Sequence, residues 1–307
     1  MDIWVAGATG VLGRSTVRRL LSAGHAVTGL ARSTAKWPDA PQEMRFIPCD
    51  VTSTGAVLRA FSESTPDVII HMASATPEGK PTPRTLEPGD NVRRFGTENL
   101  LEMARTRHAF FVLVSTHHVA EPRGETWIDE SSKVAGSPLT ESAVDAERYV
   151  RQAIIDGQPA CVVRPATIYS PESSQTRAVV EAVRAHHPIL IGKGDNYWSL
   201  IRPEDVATAL AKVVELRPVT ETFYIADDEP VMMGDLLRWL AQSLHVPPPR
   251  SFAPMLARVA VGSALVDMLT ASRRISNAKA KRELDWSPAF PTYREGMTDI
   301  LKQTRHA

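Results

Sequence analysis

The sequence predicts an α/β fold: a doubly wound parallel sheet with a smaller C-terminal substrate-binding lobe. Three observations predict it. Short β-branched runs alternate with amphipathic stretches from residue 3 onward, a glycine-rich loop joins the first run to the first stretch, and after about residue 170 prolines break the alternation. Strand and helix in alternation imply parallel pairing through right-handed crossovers.

Strands are expected over Ile3–Ala6, Ala26–Leu30, Met44–Ile47, Val68–Ile70, Phe110–Val114 and Ala160–Val163. Between most of them Val11–Ser22, Val57–Ser62, Glu98–Arg105 and Ala143–Ile155 read as amphipathic helices. The segment Thr76–Pro88 is proline-rich and follows a strand, so a flap over the cleft is expected. Pro171, Pro188, Pro203, Pro230 and the run Pro247–Pro249 punctuate the remainder. The expected organisation is a first domain over 1–170 and a substrate lobe over most of 171–307, with some segments returning to the first domain.

Lysine plus arginine and aspartate plus glutamate both number 35, so no global field draws the chain to nucleic acid or an acidic membrane. Cys49 and Cys161 lie in apolar runs and no disulfide framework is visible, which suits a reducing compartment. No secretory pattern opens the chain, and a cytoplasmic location is expected. The apolar stretch Phe252–Ser272 is interrupted by Arg258 and Asp267, which suits a covered helix better than a membrane span. No metal ligand set is expected.

The loop Gly7-Ala-Thr9-Gly10-Val11-Leu12-Gly13 follows the first strand and opens the first helix. Glycines there give a tight turn, let backbone approach a pyrophosphate and allow close helix–strand packing, while the helix N-terminus supplies amide donors. Glycine spacing alone is a weak signal; the strand–loop–helix context strengthens it. A merely tight turn is the alternative. At the end of the second strand, where an acidic residue would bind the ribose 2′-hydroxyl of NAD, the chain has Arg32-Ser33, with Arg14 and Lys36 nearby. Arginine suits a 2′-phosphate, so NADP is expected in preference to NAD. Solvated surface cations are the alternative.

These residues resemble the extended short-chain dehydrogenase/reductase family, the NAD-dependent epimerase/dehydratase group with its Rossmann fold. Asp50-Val51 resembles the family's adenine contact, and Val68-Ile-Ile-His71-Met72-Ala73-Ser74 its fourth strand and cofactor-side turn. Gly96-Thr97-Glu-Asn99 resembles the following helix, and Val114-Ser115-Thr116 the fifth strand with its active-site hydroxyl. Arg164-Pro165-Ala-Thr-Ile168-Tyr169 resembles the sixth-strand exit that touches nicotinamide. Glu204-Asp205-Val206-Ala207 and Asn277–Pro288 resemble substrate-lobe signatures. The resemblance implies a small-molecule substrate and a homodimer formed through helices such as Glu98–Arg105 and Ala143–Ile155.

The departures bear on the chemistry. The family's tyrosine, with a lysine four residues later, exchanges a proton with substrate. Alignment on Pro138, Ser142 and Glu147 puts Leu139 at the tyrosine position and Ala143 at the lysine position, and no tyrosine in the chain has lysine four residues on. If Gly96 fixes the register, Arg93 stands for the family's asparagine. Thr116 falls on the family's serine/threonine position and is followed by His117 and His118, where the resembling 4,6-dehydratases carry an acid and a base. Histidine titrates near neutrality and can give or take a proton, so Thr116, His117 and His118 are the catalytic candidates. The alternative is one packed and one solvated histidine. Leu139, Tyr169 and Trp198 are the substrate-side candidates, Tyr169 ahead of Tyr149, which lies farther along the helix. Where nucleotide-sugar enzymes present arginine to a diphosphate stands Tyr197-Trp198; with the apolar stretch Met255–Leu269 it points to a less polar substrate. A core tryptophan and a dimer-facing helix are the alternative.

Three functions are therefore open: an NADP-dependent oxidoreductase for a small apolar metabolite; a non-redox lyase, epimerase or cyclase using the histidines; and an inactive NADP-binding regulator.

Overall fold

The computed structural model describes residues 1–35, 37–75, 81–187 and 189–303. Seven strands form one parallel sheet: β1 (Asp2–Ala6), β2 (Ala26–Ala31), β3 (Arg45–Pro48), β4 (Val68–His71), β5 (Phe110–Val114), β6 (Ala160–Pro165) and β7 (Thr222–Ile225). Their spatial order is β3-β2-β1-β4-β5-β6-β7. The order reverses between β1 and β4, where Ala6 pairs with Leu30 on one side and His71 on the other. Ligands of doubly wound sheets bind beyond the strand C-termini at such a switch point.

Eleven helices are described: α1 (Val11–Ser22), α2 (Thr54–Glu63), α3 (Pro83–Arg107), α4 (Glu141–Ile155), α5 (Ser174–Arg184), α6 (Pro203–Leu216), α7 (Met233–Ser243), α8 (Pro254–Val261), α9 (Ser263–Thr270), α10 (Ala278–Leu284) and α11 (Tyr293–Gln303). The sheet is covered on both faces, which is why its strands read as apolar runs. Ile3 and Val5 face a core shared with α1 and α6, while Trp4 and Ala6 face one shared with α2, α3 and α4. Period-two alternation along β1 feeds both cores. A third cluster, built from residues such as Tyr169, Val180, Leu237 and Ile300, lies in the C-terminal half.

Three expectations are corrected. Residues 76–80 of the expected flap, like Lys36 and Pro188, lie outside the described residues, and Pro83–Pro88 form the first turns of α3. Thr82 caps that helix, accepting from the Thr85 amide at 3.2 Å, and Pro83 sits where no amide partner is needed. The expected helix Glu98–Arg105 is thus the last third of a 25-residue one. Phe252–Ser272 is two short helices joined at Gly262 (φ 92°), and it is not covered throughout, since Met255 and Val259 are 78% and 76% exposed. No described helix is long and apolar enough to cross a membrane.

One buried ion pair ties α4 to the sheet. Arg164 at the end of β6 donates from Nε and Nη2 to Glu147 at 2.9 and 2.6 Å, and from Nη1 to the Tyr224 hydroxyl of β7 at 2.9 Å. The bidentate geometry satisfies both charges where solvent is absent.

Candidate active site

The glycine loop turns β1 into α1 against the exit of β4. Gly7 has φ 93°, and a Cβ there would meet Ala73 N and Cα at 2.8 Å. At Gly13 a Cβ would lie 2.1 Å from the Gly7 carbonyl oxygen. The turn therefore excludes side chains at both positions. Gly10 caps α1 without a side-chain hydrogen bond, and no acidic residue occupies the first turn. A cradle of bare amides at a helix N-terminus, at the sheet's switch point, fits a dinucleotide pyrophosphate. Thr9, Val11 and Leu12 complete the loop, half-buried, while Met72, Ala73 and Ser74 form the facing turn.

In the first turn of α1 Arg14 donates from Nε to Thr9 O at 3.1 Å. Its guanidinium lies 5.9 Å from the ring centre of Trp37, and that of Arg18 lies 5.4 Å away. Trp37 is buried and forms a floor beneath two cations that sequence reasoning missed; its signal is one aromatic shortly after the second strand. Arg32 and Ser33 are exposed at the end of β2. Asp50 is occupied locally, accepting from Thr52 N at 3.0 Å and Thr52 Oγ1 at 2.8 Å. Val51 is held by Asn99 of α3, whose Nδ2 donates to Val51 O at 2.9 Å.

Beyond the ends of β5 and β6 lies a cavity of about 610 Å³. Thr116, His117 and His118 line it together with Pro165, Ile168, Tyr169 and Trp198. Apolar side chains also line it: Leu265, Met268 and Leu269 of α9, with Val179 of α5. Trp198 Nε1 and Asn196 Nδ2 both donate to Leu269 O at 3.0 Å, so the indole is wall and its N–H is committed. Leu139 is half-buried just before α4 and does not line the cavity. Ala143 is buried, Tyr149 packs against the α2–α4 core, and Arg93 donates to Ser142 Oγ at 3.3 Å, tying α3 to α4.

His117 and His118 stack with ring centres 3.9 Å apart and planes tilted by 40°. His117 is buried, and its Nδ1 lies 3.2 Å from Pro165 O. A carbonyl only accepts, so Nδ1 carries the proton and Nε2 is an acceptor. The His118 amide donates to Thr116 Oγ1 at 3.3 Å. Burial pushes the His117 imidazole well below its ordinary range, and His118 and Arg273 push it the same way. Burial, then Arg273, pushes His118 down to about 3. Both rings are therefore neutral near pH 7, where the sequence alone leads one to expect titration. Arg273 reaches the cavity from a segment that no pattern marks, and sequence reasoning missed it.

The late signatures serve packing. Asp205 is buried and accepts from the amides of Ala289 and Phe290 at 2.7 and 3.1 Å, while Trp286 Nε1 donates to Asp205 O at 3.1 Å. Tyr169 packs its hydroxyl against Gly296, where a Cβ would meet it at 2.0 Å. A second depression of about 440 Å³ around Trp239 holds none of the expected site residues except its rim neighbour Tyr197.

Residues 3–226 match the NAD dependent epimerase/dehydratase family. A 3-diazoavenalumate denitrifying reductase from a Streptomyces species is 31% identical over 97% of this chain and 99% of its own. A ceramide reductase from Caulobacter vibrioides is 27% identical over 95% of this chain and 88% of its own. Among solved structures, a Bacillus anthracis dTDP-glucose 4,6-dehydratase in complex with NAD superposes with a TM-score of 0.83 at 18% identity, covering 100% of this chain and 97% of its own. A human epimerase family protein with NADPH gives 0.81 at 15% identity, covering 98% of this chain and 99% of its own.

Proposed function

The chain belongs to the NAD dependent epimerase/dehydratase family, and on that premise we propose that it is an NADPH-dependent reductase of a small, largely apolar metabolite. The observation that carries this reading is the cavity. Thr116 and His118 give it polar groups fit for a reacting centre, and Trp198, Leu265, Met268 and Leu269 give it apolar walls. Two full-length relatives named as reductases support net reduction, and the name ceramide reductase supports an apolar substrate.

The bound cofactor supplies hydride. The chain's own residues hold and orient. Gly7, Gly10 and Gly13 open the amide cradle, and Arg14 and Arg32 supply donors for a 2′-phosphate. Asp50 and Val51 sit on the adenine side, and Ser33 lies beside Arg32. Met72, Ala73 and Ser74 back the dinucleotide from β4, and Pro165 and Ile168 back the nicotinamide end. Thr116 Oγ1 hydrogen-bonds the substrate's reacting group and aligns it. His118, neutral at pH 7, hydrogen-bonds that group, and the one proton that net reduction requires besides the hydride reaches the substrate through the Thr116 hydroxyl or the His118 N–H and is replaced from solvent. His117, fixed by Pro165 O, supports the His118 ring by stacking. The apolar walls exclude water from the reacting centre. We read the assembly as a homodimer through α3 and α4, where Phe95 is 50% exposed.

Purified protein titrated with NADPH and NADH, then followed at 340 nm against aromatic ketones, enones and lipid ketones, tests this reading. Tighter NADPH binding, weakened about tenfold or more by Arg32→Ala, and consumption of NADPH are expected. Thr116→Val and His118→Ala are expected to lower kcat about 10²-fold or more while NADPH affinity holds. No uptake of either dinucleotide sinks the proposal, and turnover with no net change at 340 nm transfers it to the non-redox alternative.

A further inference from the structure

The apolar cavity contains one charge that substrate apolarity does not explain. Three arginines are buried among the described residues: Arg164, Arg202 and Arg273. Arg164 pairs with Glu147 at 2.6 Å, and Arg202 pairs with Glu204 and Asp299 at 3.0 and 3.2 Å. Arg273, 7% exposed, has no carboxylate partner among the described residues. Its side chain makes one hydrogen bond there, from Nε to Ala120 O at 3.0 Å. The group that favours its charge is the Tyr224 phenol, which burial keeps neutral.

Its position is fixed by the fold. The Arg273 amide donates to Tyr197 O at 2.9 Å, and its carbonyl accepts from Ser199 Oγ at 3.1 Å. This holds the side chain on the cavity wall beside His117 and His118. No glycine-loop residue lines the same cavity, so the guanidinium is not part of the pyrophosphate cradle. A guanidinium carries five donors in a planar fork. Burying that charge without an anion is costly, and a planar carboxylate matches the fork bidentately.

We propose that Arg273 is an anchor for a carboxylate on the substrate, so that the ligand class is an acid with an otherwise flat, apolar body. The carboxylate docks at Arg273, the body lies against Trp198 and α9, and the reacting group meets Thr116 and His118. This rests on the reading of the cavity as the substrate site.

Calorimetry on the full chain saturated with NADP, using trans-cinnamate and its neutral isostere cinnamamide as probes, tests it. Cinnamate is expected to bind roughly 10- to 100-fold more tightly, the scale of a charge-assisted pair. Arg273→Met is expected to erase that gap while cinnamamide and NADPH affinities hold, and Arg273→Lys to keep part of it. Should the methionine variant fail to fold, the wild-type comparison and the lysine variant decide. Equal binding of the two probes by wild type, binding of neither, or a preference that survives Arg273→Met overturns the anchor. A protein that prefers cinnamate yet never consumes NADPH keeps the anchor and refutes the reductase reading. One that reduces neutral ketones with no preference for acids refutes the anchor alone.

Discussion

Gly13→Ala tests the cradle on which cofactor binding depends. The added Cβ would lie 2.1 Å from the Gly7 carbonyl oxygen and 2.8 Å from Ala8 C and Cα, all backbone. Ordinary contact begins near 3.4 Å, so the oxygen must retreat by about 1.3 Å (3.4 minus 2.1). That oxygen also accepts the Gly10 amide at 3.0 Å, so its retreat dismantles the turn that aims the first amides of α1. Overpacking of this kind costs about 1–3 kcal/mol, equivalent to roughly 5- to 150-fold in a dissociation constant. Gly55→Ala is the matched control. It lies in the first turn of α2 with nothing nearer than Arg59 Nη1 at 3.6 Å, so the same methyl group should stabilise by about 0.5–1 kcal/mol. NADPH titration and urea denaturation on both variants give the two numbers. If Gly13→Ala bound NADPH as wild type does, the steric account of the loop would be refuted.

Glu147→Ala strands the Arg164 guanidinium and should cost about 3–5 kcal/mol in urea denaturation; an unchanged midpoint contradicts the buried-pair account. His71 and His118 have pKa values lowered to about 4 and about 3, so the folded state takes up protons less readily than the unfolded chain. Their contribution is intact above pH 6.5 and lost as pH falls toward those values, by roughly 2 kcal/mol each at pH 5. His118→Gln should therefore flatten the loss of Tm between pH 7 and pH 5, and an identical slope argues against a buried neutral ring. Asp227 has the opposite sign. It is 1% exposed, and burial raises its pKa to about 9 although the Glu229 backbone amide pulls the other way. Wild type then loses stability as pH rises from the unfolded value near 3.8 toward 9, so Asp227→Asn should raise Tm at pH 8 and change it little at pH 4. A destabilised variant at pH 8 speaks against a buried neutral acid.

The parts of the fold that were legible are those written locally. The strand-to-helix glycine loop needs only adjacent residues to state its purpose, and Val11–Ser22 is a helix with the bounds its periodicity gives. Six sheet strands were visible as short apolar runs. The seventh, Thr222–Ile225, was not, because four residues between polar neighbours acquire meaning only by pairing with β6, some sixty positions earlier. The start of helix α3 is hidden in the sequence because Pro83 and Pro88 look like breakers, although proline at a first helical position favours entry. In the site, the sequence brings Thr116, His117 and His118 to one address and the structure lines the cavity with them. Their neutrality was hidden, since burial and the approach of Arg273 are tertiary facts. Leu139 illustrates the reverse: alignment put it at a catalytic position, and the turn before α4 holds it off the cavity.

The late arrival of β7 also shapes how the molecule is made. Once β6 has left the ribosome, its outer edge stays unpaired until residues 222–225 are synthesised and dock. At roughly 5–20 residues per second the delay lasts several seconds, during which the Ala160 carbonyl and the Val162 and Ala166 amides, later paired with Thr220 N, Glu221 O and Ile225 O, stay open to any passing chain. A four-residue segment, made some sixty residues after the edge it covers, therefore closes the nascent sheet against aggregation.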